Sequence, residues 1–286
     1  MHVSIRRAGA ADVGFLVELA SNEEVEPFLG ALAAKDRDAV AAEVDRSLAE
    51  PHDFGRFVIE ADGSRAGTMG FELANRRSRI AQLERLAVHP SFRGRRLADM
   101  AAPLLQQHLL RDLGYHRLQL EIYGFNERAQ RHAERAGFVR EGVRRAAYWR
   151  HDDWTEGLLY ALVAEDTDIS GAIRLLHDYV GVHNECVRTG QWQSIRSWFA
   201  EDAELSFDGV PVGPFRGVDA IVAAYEAKPP DDQVLTFRVD EGDGVVSALY
   251  GWLKEPAAVA GRMLLTPDGE RIGRLVVTFE EGLTWS

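Results

Sequence analysis

Residues 82–98 read QLERLAVHPSFRGRRLA, an apolar strand pattern that runs into a glycine-marked helix start. The turn between the two contains Gly94 and the arginines Arg93, Arg95 and Arg96. Backbone N–H groups in the first turn of a helix have no intrahelical partner, and with the helix dipole they favour an anion. Forked guanidinium donors match phosphate oxygens. The segment therefore predicts a strand, an anion-binding turn and a helix, with a pyrophosphate as the expected ligand.

The chain after this segment predicts one further strand and one further helix. Helical sequence extends to about Asp112, and residues 117–123, RLQLEIY, form a strand pattern. Asn126 is the predicted N-cap of the next helix, and Gly137 is the predicted residue just past its C-terminus. Phe138 resumes an extended segment.

This order of motifs resembles the GNAT superfamily of acyl-CoA-dependent N-acetyltransferases over about residues 2–165. The cofactor motif of that family is Arg or Gln, two residues, Gly, one residue, then Gly or Ala. Arg93 and Ala98 match it, whereas Arg96 stands where glycine is usual. Residues 126–138 resemble the branch that includes the ribosomal-protein-alanine and spermidine acetyltransferases. The resemblance implies an α/β domain with a mixed sheet and flanking helices.

The resemblance also implies that acetyl-CoA is the cosubstrate and that no metal is needed. The residues expected to bind it are Leu86, Val88, Arg93, Gly94, Arg95, Arg96, Leu97, Ala98 and Asn126. Catalysis in the family is direct attack of a neutral amine on the acetyl thioester. A small amine or a protein N-terminus is the expected acceptor.

Four residues depart from the family pattern. Arg96 can keep a helical backbone and still offer its N–H, while its side chain swings away from the pyrophosphate or binds it. Pro103 is expected to kink the following helix or break it early, near Ala101. The tyrosine that serves many relatives as general acid falls at Ala133, and the serine of the alanine-acetyltransferase branch falls at Ala129. A thiolate leaves readily without an acid, because the reference pKa of a thiol is only about 8.5. Loss of the tyrosine therefore lowers the rate and does not exclude the chemistry.

Candidate catalytic groups lie on the two strands. Strand alternation places Gln82, Glu84, Leu86 and Val88 on one face, where Glu84 is the only carboxylate. Glu84 is the first candidate base, and its alternative is a structural carboxylate paired with Arg85 or Arg117. Glu121 is the second candidate, and Tyr123 is a substitute acid. His132 is interpreted as a solvated side chain on a helix rich in Arg and Glu.

The 286 residues predict two domains, residues 1–166 and 167–286. The first domain has 23 Lys and Arg residues and 26 Asp and Glu residues, a net charge of −3. The second has 10 and 19, a net charge of −9, and the two sum to the −12 of the whole chain. This acidity argues against nucleic acid and anionic membranes as partners. No transmembrane run is expected, and the lone Cys186 favours a reducing, cytoplasmic location.

The second domain reads as two helices, an extended segment 203–208, the helix 219–227 and four strands at 234–239, 245–253, 261–265 and 271–279. An antiparallel sheet curled around helices is the expected α+β architecture. The order resembles the nuclear transport factor 2-like superfamily, which includes ketosteroid isomerases and SnoaL-like cyclases and implies a cone with an apolar pocket. Tyr179 matches the isomerases' oxyanion tyrosine, but their base aspartate falls at Phe207 and Asp208 comes one residue late.

The sequence thus predicts an acetyltransferase with an accessory domain that binds a ligand, presents the acceptor or makes a homodimer. One alternative is a non-catalytic sensor that only binds CoA, favoured by Arg96, Ala129 and Ala133. The other is an isomerase or cyclase in the second domain, regulated by the first.

Overall fold

A computed structural model describes residues 1–29 and 36–279. The chain divides into two compact units. Unit 1 comprises Met1–Leu109 and Tyr115–Thr167, and unit 2 comprises Leu110–Gly114 and the chain from Asp168 onward. A short segment of the first half of the sequence therefore belongs to the second unit.

Unit 1 is built on one mixed sheet. Its strands are β1 (Val3–Arg7), β2 (Phe54–Ala61), β3 (Ser64–Asn75), β4 (Ile80–Val88), β5 (Arg117–Tyr123), β6 (Val139–Arg150) and β7 (Asp153–Val163). Within the described ranges they form a seven-stranded sheet in the order β1-β2-β3-β4-β5-β7-β6. Every pair in it is antiparallel except β4 and β5, which run parallel. A parallel pair needs a crossover connection.

Helices cover this sheet and provide that crossover. They are α1 (Val13–Ser21), α2 (Arg37–Ala49), α3 (Leu97–Gln107) and α4 (Glu127–Arg135). α3 lies between β4 and β5 in the chain. Asn126 caps α4, since its side chain accepts a hydrogen bond from Ala129 N, and Gly137 follows the helix with φ +89°. Both predicted ends of α4 are confirmed.

The break expected near Ala101 does not occur. α3 runs through Pro103 to Gln107 and continues as a π-helix over His108–Asp112. Proline removes the N–H that would pair with the carbonyl four residues earlier. Ala101 and Leu105 are buried, and tertiary packing of an apolar face supplies most of a helix's stability. This burial outweighs the lost hydrogen bond.

The described part of unit 2, up to residue 279, contains a second mixed sheet with two α-helices. The helices are α5 (Gly171–Thr189) and α6 (Val218–Ala227), and the strands are β8 (Phe199–Asp208), β9 (Phe215–Arg216), β10 (Val234–Gly242), β11 (Val245–Trp252), β12 (Gly261–Asp268) and β13 (Arg271–Phe279). The described strands are ordered β10-β11-β12-β13-β8-β9. The four predicted strands are all present. The expected purely antiparallel sheet is wrong, because β8 pairs with β13 in parallel.

Aromatic side chains fill the core of unit 2. The Tyr179 and Tyr225 hydroxyls are buried and lie 2.7 Å apart, and Trp192 stacks on Tyr225 with ring centroids separated by 4.8 Å. Asp208 is exposed at the end of β8. The Tyr179 hydroxyl, which the sequence placed in an oxyanion role, is thus hydrogen-bonded inside the core.

In the part of the chain that is described, the model has no helix both long and apolar enough to cross a membrane.

Candidate functional site

The parallel pair β4 and β5 separates after a short paired stretch. Residues 80–82 pair with residues 117–119, and the Gln119 side chain donates to Gln82 Oε1 over 3.1 Å at the last paired position. Beyond it, β4 stays with β3 up to Val88, and β5 stays with β7 up to Tyr123. The two strands therefore diverge and leave a wedge-shaped opening in the middle of the sheet.

A β-bulge in β4 changes what this strand presents to the opening. Arg85 and Leu86 together oppose the single residue Met69 of β3, and Arg85 has φ +60°. A bulge leaves its extra residue outside the ladder and re-aims the side chains. The predicted alternation is therefore wrong beyond Glu84, and residues 82–86 all contribute to the same cavity.

A cavity of about 510 Å³ lies in this opening. Its walls come from β3, β4, β5, β6, α3, α4 and the pair Phe28 and Leu29. The predicted site residues that line it are Glu84, Leu86, Glu121, Tyr123 and Asn126. The other predicted cofactor residues are outside its lining: Val88, Arg93, Gly94, Arg95, Arg96, Leu97 and Ala98. The predicted site thus divides into a cavity and an adjoining turn.

Glu84 belongs to a network of alternating charges. Its Oε2 lies 2.7 Å from Arg85 Nη1, and Arg85 Nη2 donates to Glu43 of α2 over 2.9 Å. Glu43 also lies 3.6 Å from buried Arg56, and burial lowers the pKa of that guanidinium to about 10. The pairing with Arg85, foreseen as the alternative to a catalytic role, is present. Glu84 still lines the cavity.

Glu121 has one uncommitted oxygen. Its Oε2 accepts a hydrogen bond from Arg144 Nη1 over 2.9 Å, whereas its Oε1 is buried and has no hydrogen-bond partner among the described residues. Burial and the Glu121 carboxylate together raise the pKa of the neighbouring Tyr148 phenol. The carboxylate lies over Gly157, where a Cβ would come within 1.8 Å of Oε1. Glycine there makes room for the carboxylate.

Tyr123 joins an aromatic group at the cavity. Its hydroxyl accepts a hydrogen bond from Arg150 Nη2 over 2.8 Å, so its own proton remains available. Its ring stacks on Phe125 at 5.4 Å and meets the Tyr148 ring edge-on at 5.1 Å. Phe28 lies 6.0 Å from Phe125. Aromatic faces and carboxylates together suit a cationic group.

The turn before α3 has the features of an anion site. Arg93 pairs with Glu24 through its side chain and donates to Glu24 O over 3.0 Å, while Arg95 lies over the Phe92 ring. Arg96 is the N-cap of α3 and its side chain makes no capping hydrogen bond, which leaves the first N–H groups of the helix to other partners. Arg96 does not adopt the right-handed helical backbone that the sequence allowed: its φ is +55° and its ψ +30°, in the left-handed region. Glycine is favoured at such a position.

His132 is a cavity residue that sequence reasoning missed. Its Nδ1 lies 2.7 Å from Asp99 Oδ1 of α3, and its side chain is only 13% exposed. Arg135 donates to the same carboxylate over 3.0 and 3.1 Å. These partners, Arg135 foremost, hold the pKa of Asp99 below its usual value. The interpretation as a solvated side chain is therefore wrong. The sequence could not show this, because Asp99 is 33 residues away and no local pattern indicates the pairing.

Among residues 1–29 and 36–279, no cluster of three or more His, Cys, Asp or Glu side chains is arranged to hold a metal ion.

Comparison with known proteins agrees with the geometry of unit 1. Residues 2–139 match the family described as "Acetyltransferase (GNAT) domain". The spermidine N-acetyltransferase from Vibrio cholerae, solved with CoA and spermine, is similar at 18% identity and a TM-score of 0.53, over 57% of this chain and 96% of that one. The ribosomal alpha-N-protein acetyltransferase RimL, solved with CoA, is similar at 18% identity and a TM-score of 0.52, over 58% and 96%. At these identities the likeness shows a shared fold.

The family match covers the strand, the turn and both helices that surround the cavity. Residues 2–139 therefore match a GNAT acetyltransferase domain, and the protein is an N-acetyltransferase with acetyl-CoA as the acetyl donor.

Proposed function

We propose that the protein transfers an acetyl group from acetyl-CoA to a primary amine by direct attack of the amine on the thioester. The opening between β4 and β5 carries this proposal, since it holds two carboxylates and a phenol in one cavity beside an anion-binding turn. Such a site supplies a proton acceptor, a hydrogen-bond donor and a place for the pyrophosphate. The acceptor is a small amine or a protein N-terminus.

The donor binds along the turn and into the opening. The uncapped N–H groups at the start of α3 and the charges of Arg93, Arg95 and Arg96 face the pyrophosphate. Gly94, with φ +78° and no atom within 4 Å of a Cβ built on it, leaves space for close approach of a ligand. Leu86, Val88, Leu97 and Ala98 flank the acyl arm.

Glu121 is the proposed base, and Glu84 is the runner-up. The Glu121 Oε1 has no hydrogen-bond partner among the described residues, whereas Glu84 Oε2 lies 2.7 Å from Arg85 Nη1, which balances its charge. A carboxylate with an uncommitted oxygen accepts a proton from an ammonium or from an intervening water. The Tyr123, Tyr148 and Phe28 rings hold the cationic amine before it loses that proton.

Unit 2 is proposed to be a nuclear transport factor 2-like accessory domain. Its order of helices and strands, from α5 to β13, supports this assignment. It binds a small ligand, helps present the acceptor, or makes a homodimer, and the protein is proposed to act in the cytoplasm. An isomerase role gains no support, because the Tyr179 hydroxyl is hydrogen-bonded to Tyr225 in the core.

The test is a screen of amines with acetyl-CoA, followed by release of free thiol. Polyamines, amino acids, aminoglycosides and peptides with free N-termini cover the acceptor classes. We expect turnover with at least one class, and acetyl-CoA binding by calorimetry without any acceptor. Binding of acetyl-CoA without turnover on any amine would favour the CoA-binding sensor.

Variants then assign the roles. Glu121→Gln should lower kcat by about 10²-fold at neutral pH and leave acetyl-CoA affinity nearly unchanged. Glu84→Gln should have the smaller effect, and the reverse order would make Glu84 the base.

Arg93→Ala should weaken acetyl-CoA binding by roughly tenfold, since a charged hydrogen bond contributes about 1.5–3 kcal/mol. Arg128→Ala, an exposed position on α4, is the matched control.

A further inference from the structure

We propose that His132 is the general acid that protonates the departing CoA thiolate, and that Asp99 positions its imidazole. The inference rests on the proposed function and adds a proton donor to it. This donor is not at position 133, where many relatives have a tyrosine and this chain has Ala133. It starts from one juxtaposition: an imidazole in the cavity wall, held by a carboxylate from a different helix.

The surroundings of His132 leave one of its nitrogens open to the cavity. On α4 its helical neighbours three residues before and four residues after are Ala129 and Ala136, both of which also line the cavity. These small side chains leave space beside the ring. Nδ1 lies 2.7 Å from Asp99 Oδ1, and no hydrogen bond joins Nε2 to a described residue. Nε2 is thus the nitrogen available to a ligand.

Asp99 fixes the orientation and the tautomer of this imidazole. Its carboxylate is kept ionised by Arg135 and accepts the Nδ1–H, so that Nε2 is the nitrogen that exchanges protons. Carboxylate–histidine pairs work in this way in other enzymes, because the carboxylate stabilises the imidazolium. The other charged groups that line the same cavity are Glu84, Arg85 and Glu121.

The proton balance of the step is simple. The amine nitrogen forms a bond to the acetyl carbon, and the C–S bond breaks with its electron pair going to sulfur. Nε2–H of the His132 imidazolium gives its proton to that sulfur. The amine nitrogen loses two protons in all: the carboxylate base takes one from the ammonium before the attack, passes it to solvent, and takes the second as the C–N bond forms. His132 regains its own proton from solvent, so one proton is released overall. A thiolate is basic enough to take the His132 proton, since the reference pKa of a thiol is about 8.5.

The experiment compares the parent protein with His132→Gln, Asp99→Asn and the control Arg128→Gln over a range of pH. Parent kcat should rise and then fall with pH, as expected for a base and an acid acting together. His132→Gln should lower kcat by about 10²-fold and remove the alkaline fall. Asp99→Asn should lower kcat in the same direction. Acetyl-CoA affinity and thermal midpoint should stay near those of the parent.

Two results would overturn the inference. One is an unchanged kcat and pH profile in His132→Gln. The other is a joint fall of thermal midpoint and acetyl-CoA affinity with the alkaline limb intact, which would make the His132–Asp99 pair a structural link between α3 and α4. Failure of the proposed function itself looks different, because then the parent protein acetylates no amine at any pH.

Discussion

Arg96, the N-cap of α3, has a left-handed backbone, which costs a residue with a Cβ about 1–2 kcal/mol. Arg96→Gly should therefore raise the free energy of unfolding by about 0.5–1 kcal/mol, after allowance for the greater freedom of glycine in the unfolded chain. Arg95→Gly is the control, because Arg95 has no positive φ to relieve, and it should destabilise. Urea unfolding of both variants checks this. Equal destabilisation by both would contradict it.

Gly157 offers a way to move Glu121 without changing its chemistry. A Cβ at this position would lie 1.8 Å from Glu121 Oε1 and 2.9 Å from Tyr148 Cε2. Gly157→Ala should push the carboxylate aside and lower kcat by tenfold or more, because a proton acceptor must be within hydrogen-bond reach. Gly142→Ala, whose nearest contact would be 3.8 Å, is the control. Parental kcat in Gly157→Ala would remove Glu121 from the reaction.

At the residue scale, local chemistry was predictable and remote contacts were not. Asn126 was correct as a cap because its hydrogen bond spans three residues of its own helix. The bulge at Arg85 depends on Met69 of the neighbouring strand, and the role of His132 depends on Asp99, 33 residues earlier. Alternation and composition contain no information on such partners.

At the scale of elements, α5 carries a titratable group into an aromatic core. Burial lowers the pKa of His183 to about 4, and Tyr179, Trp192 and Tyr225 surround its ring. The unfolded chain, with a histidine pKa of about 6.5, binds a proton that the folded unit does not. The free energy of unfolding should therefore fall by about 3 kcal/mol as pH drops from about 6.5 to 4.

His183→Phe should remove this pH dependence while keeping a ring in the core. Urea unfolding followed by tryptophan fluorescence at pH 7 and pH 5 measures it, since Trp192 lies 5.4 Å from His183. The parent should lose more stability than the variant between these two pH values. Equal losses would show that other groups dominate the acid response.

Pro103 shows why an element boundary is hard to predict from one residue. The penalty for proline inside a helix is local and appears in the sequence, whereas the burial of Ala101 and Leu105 that offsets it depends on the fold. The strands predicted at β4, β5 and β10 to β13 agree better with the structure, because apolar alternation and turn residues mark them directly. The parallel pairing of β8 with β13 joins segments that are far apart in the chain, so no local sequence pattern predicts it.

At the scale of the whole molecule, a fragment of residues 1–166 tests the independence of unit 1. It retains the wedge, the turn and both flanking helices, so it should fold and bind acetyl-CoA with parental affinity. Its thermal midpoint should be lower, since Leu110–Gly114 belong to unit 2 and Arg111 Nε donates to Val239 O there over 2.9 Å. Circular dichroism and calorimetry measure both quantities. A fragment without a cooperative transition would contradict the prediction.

The same fragment separates the proposed roles of unit 2. If unit 2 presents the acceptor, the fragment should keep its acetyl-CoA affinity and show a raised KM for the amine. If unit 2 makes a homodimer, the full chain should elute as a dimer and the fragment as a monomer, with kinetics little changed. Gel filtration with steady-state kinetics distinguishes these outcomes.

The parallel pairing of β8 with β13 has a consequence for synthesis on the ribosome. In the sheet, β8 and β9 connect to the other strands through β13, which follows them in the chain after α6, β10, β11 and β12. Until β13 has left the exit tunnel, β8 has an open edge and unit 2 cannot close its sheet, while unit 1 already has all seven of its described strands. A nascent chain stalled before β13 should therefore expose β8 to proteolysis and to chaperones, and release of the last strand should end that exposure in one step.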